Sequence, residues 1–159
     1  MPNYKKHLYG GIVAYIFILL FIIRCTPSWG VALEWLFCAL AGSLFPDIDI
    51  KSKGQKYFYH IILILFIILA CKQRFVVITC LSFIVIVPLL TKHRGIFHSS
   101  VFLIVFPISV WLLMSCIFTH VSRLLFIDTM FFIAGALSHI LLDFGCARLF
   151  FSKYRRSRR

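Results

Sequence analysis

Acidic side chains are nearly missing from this chain: five Asp and Glu stand against 17 Lys and Arg in 159 residues. Charged residues of both signs make up only 14% of the sequence, whereas 62% is hydrophobic, more than a soluble core of this length can hide. A water-soluble domain is thereby excluded. The mean hydropathy of +0.98 agrees, and an integral membrane protein is expected. Paired-cysteine signals are missing too. The six cysteines, Cys25, Cys38, Cys71, Cys80, Cys116 and Cys146, are scattered singly through apolar surroundings. They have neither the C-x-x-C spacing of a zinc knuckle nor the clustering of a disulfide scaffold, and are expected to be small buried hydrophobes. No small-x-small cleavage site follows the first apolar run, although Lys5 and Lys6 precede it as in a signal peptide. That run is therefore expected to be retained.

What the chain has instead is a series of apolar runs, roughly Leu8 to Ile23, Trp29 to Phe45, Tyr57 to Cys71, Phe75 to Thr91, Ile96 to Phe118 and Leu124 to Phe144. They predict an all-α, polytopic transmembrane helical bundle of about six membrane helices. Four or five spans are the alternatives, because several runs lie near or below the ~17 residues that a span needs. The third and fourth runs are the weakest and are separated only by Lys72-Gln73-Arg74, which reads as a tight hairpin tip. Residues 1–148 are expected to form a single integral membrane domain, and 149–159 a basic cytoplasmic tail.

With six spans and both ends cytoplasmic, the inner side collects 13 basic residues and the outer side keeps four, Arg24, Lys72, Arg74 and Arg123. The positive-inside rule favours that orientation over its inverse. It also accounts for the net charge of +12 without nucleic acid. The tail from Lys153 to Arg159 is expected to anchor the topology, with attraction to anionic headgroups as the lesser reading.

In this topology the polar residues gather at one membrane face. His7 opens the first span and Pro46-Asp47-Ile48-Asp49 closes the second. Lys92-His93-Arg94-Gly95-Ile96-Phe97-His98 joins the fourth to the fifth. Asp143 lies about 28 Å beyond Leu124 along a helix, back at the inner boundary, and His139 projects from the same helix face at i, i+4. Ionisable groups at the edge of hydrocarbon are costly and by default functional candidates. Each motif also has a plain reading: a hydrogen-bonded His–Asp pair, a capping aspartate, a juxtamembrane basic loop. Those readings lose weight because three of the five acidic residues, Asp47, Asp49 and Asp143, fall at one face, where they repel unless a cation neutralises them.

In an extended turn, Asp47 and Asp49 can face one cavity while Ile48 faces away, and His98 can join His93 if Gly95 turns the chain. His7, His93, His98 and His139 with Asp47, Asp49 and Asp143 supply nitrogen and oxygen ligands for one or two divalent ions, Zn²⁺ before Mn²⁺. Arg94 suits a bidentate phosphate clamp. Asp49 is the expected general base, with Asp47 as the alternative, and the hydroxyls of Ser99 and Ser138 are candidates to orient the neighbouring imidazoles. His60 and His120 belong to no cluster.

These residues also resemble a known family. Leu44-Phe45-Pro46-Asp47-Ile48-Asp49 is similar to the L-x-P-D-x-D element of the YdjM-type inner-membrane, metal-dependent hydrolases, as the family's activity is predicted. His93-Arg94-Gly95-Ile96-Phe97-His98-Ser99 is similar to their H-R-G-x-x-H-S element. Gly135 to Asp143 is similar to their G-x-x-S-H-x-x-x-D element, and His7 to their early histidine. The resemblance covers most of the chain in order. It implies a multi-span helical protein of the bacterial inner membrane with a His/Asp metal site, and distant kinship to zinc phospholipase C and nuclease-type phosphoesterases. The chain departs from the family at Ile50, where many members carry a further histidine, and after the last motif, where a basic tail replaces an apolar Pro-containing segment.

The expected function is a membrane-bound metal-dependent hydrolase acting at the cytoplasmic face on a phosphoester or lipid headgroup bond, with membrane lipid as its partner and no nucleic acid. The alternatives are a metal- or proton-handling transporter and a non-catalytic scaffold with a structural metal. A carrier should place its ionisable groups near the bilayer midplane, whereas these motifs gather at a boundary.

Overall fold

The fold is an all-helical bundle, seen in a computed structural model that describes residues 4–22, 27–48, 53–90, 99–117 and 122–144. Among the described residues six α-helices follow one another: α1 (Tyr4–Ile22), α2 (Trp29–Leu44), α3 (Lys53–Cys71), α4 (Phe75–Leu90), α5 (Ser100–Ile117) and α6 (Ser122–Phe144). A 3-10 turn, Phe45–Asp47, extends α2, and no strand occurs among the described residues. Helices are what hydrocarbon demands, because each must satisfy its own backbone groups where water is absent. Among the described residues, four segments are long and apolar enough to cross a bilayer: α1, α2 with its 3-10 turn, α3 and α6. The third helix starts at Lys53, four residues before its apolar run, which is why it reaches spanning length.

The hairpin tip between α3 and α4 is built by a specific turn. Gln73 adopts the left-handed region at φ 54°, the Arg74 N–H donates to Leu69 O at 2.9 Å and the Gln73 N–H to Ala70 O at 2.9 Å. This is the Schellman arrangement that caps the last carbonyls of a helix. It also throws Lys72 and Arg74 toward α2. There Lys72 Nζ donates to Glu34 Oε2 and Arg74 Nη1 to Glu34 Oε1, each at 2.6 Å. Lys72 Nζ also reaches Gly30 O at 2.7 Å.

Helix α2 is the axis of the bundle, packing on α1, α3 and α6, while α5 leans on α6. Helices α2 and α6 run parallel: Trp35 stacks on Phe131 at 5.2 Å near one end, and His139 meets Asp47 near the other. Helix α1 runs against both. The backbones of α2 and α6 touch where Gly42 and Gly135 cross. A Cβ at Gly42 would fall 2.0 Å from Phe132 O, and one at Gly135 would fall 2.0 Å from Ala39 O, so only glycine fits at either place. Outward faces are apolar, with Tyr9, Val13, Phe17 and Phe21 exposed along α1, as expected of a surface solvated by lipid. The cysteines divide: Cys38 is buried, as expected, but Cys71 and Cys116 lie on the exposed surface, where an apolar thiol is tolerated by lipid as readily as by a core.

Candidate metal centre

Four of the sequence candidates converge where the first turn of α1 meets the C-terminal ends of α2 and α6. His139, fully buried, is fixed first. Its Nδ1 lies 2.7 Å from Ser43 O. A carbonyl oxygen can only accept, so Nδ1 carries the hydrogen, and in the neutral ring the Nε2 lone pair is left to face inward. That bond spans α2 and α6, and the glycine crossing brings the two backbones close enough to make it.

His139 Nε2 lies 3.2 Å from Asp143 Oδ2 and 3.6 Å from Asp47 Oδ1. The buried His7 stacks on His139 with ring centroids 3.8 Å apart and planes inclined 15°, and its Nε2 lies 3.5 Å from Asp143 Oδ1. One ligand atom each from His7, Asp47 and His139 lies within 4.8 Å of the others. A lone pair aimed at two carboxylates is repulsive unless a proton or a metal cation sits between them. Four donors around a Zn²⁺-like ion, with bonds of about 2.0–2.2 Å, are about 3.3–3.6 Å from one another. The separations of 3.2, 3.5 and 3.6 Å lie close to that range, and the donor set of His7, Asp47 and His139, whose ligand atoms are within 4.8 Å of one another, suits a divalent ion, with Asp143 beside it.

Asp47 is held by its turn. Pro46 cannot continue α2 as a hydrogen-bond donor, and the Ile48 N–H closes on Phe45 O at 3.3 Å. Gln55 Nε2 donates to Ile48 O at 3.0 Å, tying the turn to α3. The turn is therefore 3-10 helical rather than extended, and Ile48 packs into the core. Asp47, with 30% of its side chain exposed, and Asp143, with 12%, form the open side.

Asp49, His93, Arg94 and His98 lie outside the described residues. The Ser138 hydroxyl donates to Gly135 O at 2.7 Å, within its own helix, rather than to an imidazole, as serines in apolar helices commonly do. Ser99 supplies its carbonyl to the Leu103 N–H at 3.0 Å and so starts α5. His60 is exposed and bonded to Lys56 O at 2.6 Å.

The sequence reading passed over Glu34 and Asp128. Both are buried, at 0% and 4% exposure. The Asp128 carboxyl lies against that of Glu34 at the end of α2 and α6 far from the histidines. The signal was available: with five acids in the chain, two set inside apolar runs must have partners. For Glu34 these were the hairpin-tip cations.

A family model, described as YdjM inner membrane protein, matches residues 1–148. The chain belongs to the YdjM family. With its apolar spans, that membership makes the chain an integral membrane protein. The matched region contains all four converging residues. No curated protein and no solved structure matches the chain.

Proposed function

We propose that this YdjM family member is a membrane-bound, divalent-metal-dependent hydrolase whose ion is held by His7, Asp47, His139 and Asp143 and whose substrate is a phosphoester or other headgroup bond of a membrane lipid. The observation that carries the reading is the Ser43 O to His139 Nδ1 bond at 2.7 Å, which turns the Nε2 lone pair toward two carboxylates. A bound divalent ion would supply Lewis acidity toward a phosphoryl or carbonyl oxygen; the protein's part is to hold it and to deliver the proton acceptor. Zn²⁺ suits the nitrogen and oxygen donor set, with Mn²⁺ second.

Each side chain has a separate task. His139 and His7 bind as neutral imidazoles, His139 steadied by Ser43 O through Nδ1, and Asp143 binds beside them from the end of α6. Asp47, fixed by Pro46, binds from the open side. Asp49, two residues on, takes the proton of the attacking water. Arg94 clamps the charged oxygen, and His93 and His98 complete the ligand set or hold a second ion. Both termini and the ion face the cytoplasm, by the distribution of basic residues.

The donors sit in the first turn of α1, in the turn after α2 and at the last residues of α6. That boundary position favours chemistry on headgroups over carriage through the midplane. The test is metal content, by mass spectrometry, of detergent-purified protein from metal-replete cells, together with headgroup release from mixed micelles. Wild type should carry roughly one ion or more per chain, and His139→Ala should lose it. Asp49→Asn should keep the ion and lose turnover, and Arg94→Lys should lose activity on phosphate-bearing headgroups. Wild type without metal would end the metal reading; loaded wild type inert on phospholipids, isoprenoid phosphates and peptides would replace the hydrolase with a carrier or scaffold.

A further inference from the structure

Beside the candidate centre, α1 and α6 do not close on each other along their outward edges. A groove of about 720 Å³ runs between them. Its floor is made of small side chains in i, i+4 steps, Gly10 and Ala14 on α1 and Ala134 and Ser138 on α6. Stripes of this kind usually let two helices touch. At the floor they do approach, since a Cβ on Gly10 would meet Leu142 Cδ1 at 2.7 Å and Ser138 Oγ at 3.2 Å. Farther out, the large side chains of Phe17 and Leu141 form the walls, and the gap opens toward lipid.

Polarity is graded along the groove. Lys6 lies at one end and Ile18 at the other. Twelve residues of helix separate them, about 18 Å, close to the ~15 Å hydrocarbon depth of one leaflet. Lys6 precedes His7 in the chain, Ser138 precedes His139, and Leu142 precedes Asp143. The groove therefore runs alongside the proposed centre, three of its lining residues being next in sequence to proposed ligands that do not themselves line it.

We infer that this groove is a binding site for one acyl chain of an anionic phospholipid, with the lipid phosphate paired to Lys6 and its headgroup bonds brought to the His/Asp centre. The charge of Lys6 selects an anionic headgroup, and the apolar trough, matched to one leaflet in length, selects a chain lying parallel to the helices. Such seating orients a headgroup that would otherwise diffuse past the centre in any attitude, the condition under which binding energy is converted into rate. As a substrate site the groove rests on the hydrolase reading; as a lipid site it stands without it.

The test uses full-length protein in nanodiscs containing trace phosphatidylglycerol or phosphatidylcholine with a photoactivatable diazirine acyl chain, and maps the crosslinks by peptide mass spectrometry. Labelling by the phosphatidylglycerol probe should concentrate on Val13, Phe17, Leu137 and Leu141, several-fold above the lipid-facing residues Leu112 and Leu113 of α5. Ala14→Trp, which fills the trough, should abolish that excess, while Leu112→Trp should not. Lys6→Gln should leave the labelled positions unchanged and remove the preference for phosphatidylglycerol over phosphatidylcholine. Labelling spread evenly over α1, α5 and α6 would overturn the site, because it would show bulk lipid only. The same mapping after chelator treatment separates the two ideas: a groove that labels normally in metal-free, inactive protein keeps the lipid site whether or not the hydrolase reading survives.

Discussion

Replacing Gly135 by alanine should damage the proposed metal centre without touching any of its proposed ligands. The added Cβ would fall 2.0 Å from Ala39 O and 2.9 Å from Ser43 N. Both atoms belong to backbone, so no side chain can rotate away. The helices must separate by roughly 1 Å or more to reach an ordinary van der Waals distance. The bond from His139 Nδ1 to Ser43 O, now 2.7 Å, spans the same two helices one turn farther along. A separation of that size takes it beyond the ~3.2 Å range of a good hydrogen bond. His139 then loses the contact that fixes its ring, a loss that typically weakens metal affinity about 10 to 100-fold. Overpacking itself should cost about 1–3 kcal/mol of stability. Affinity is read by competition with a chromophoric chelator, and folding by thermal melting of the detergent-solubilised protein. Gly30→Ala is the control, because its Cβ would meet only the flexible Lys72 side chain, at 3.2 Å; it should leave metal affinity unchanged. Gly135→Ala protein with wild-type affinity would refute the claim that the helix crossing sets the centre.

Gln73→Gly should stabilise the protein by about 1 kcal/mol, read as a raised melting temperature, because Gln73 holds a left-handed φ of 54° that glycine adopts freely. Glu34→Gln should lower the melting temperature strongly. It discharges a fully buried carboxylate that two cations contact at 2.6 Å, and breaking a buried pair costs up to about 3–5 kcal/mol, less here because Lys72 and Arg74 keep 24% and 19% exposure. Reporter fusions after Arg159 and within Lys51 to Lys56 should both report cytoplasm, and an external signal at either would move the centre to the opposite face.

The helices were legible because periodicity hardly matters in lipid: apolar runs of sufficient length must become helices, whichever residues they contain. Which residues would meet was legible for a similar reason. Once His7, Asp47, His139 and Asp143 were assigned to helix ends, the alternation of spans put those ends together. The detail lay in tertiary contact. Nothing in the order of residues says that Ser138 donates to Gly135 rather than to His139. Nor does it say that the turn holding Asp47 winds as a 3-10 helix, since that depends on Gln55 reaching over from α3. Glu34 was missed because its partners, Lys72 and Arg74, are 38 and 40 residues away in the chain. They were assigned to topology, a role that does not preclude an ion pair.

The parallel pair α2 and α6 is held at three heights, each by different chemistry. At one end Glu34, with Asp128 against it, draws in the hairpin tip through Lys72 and Arg74. In the middle Gly42 and Gly135 set the spacing by backbone contact. At the other end Ser43 and His139 share a hydrogen bond, and the carboxylates of Asp47 and Asp143 lie against Nε2 of the buried ring. Neither helix alone could keep four polar side chains in register at the edge of hydrocarbon, because a single helix end frays and its side chains would turn toward water. A rigid crossing removes that freedom, which is the preorganisation that the proposed metal site would need. The distribution of acids follows the same logic. Glu34 is placed where its ion pairs tie the hairpin tip to α2, and the two seen at the histidines are left partly exposed.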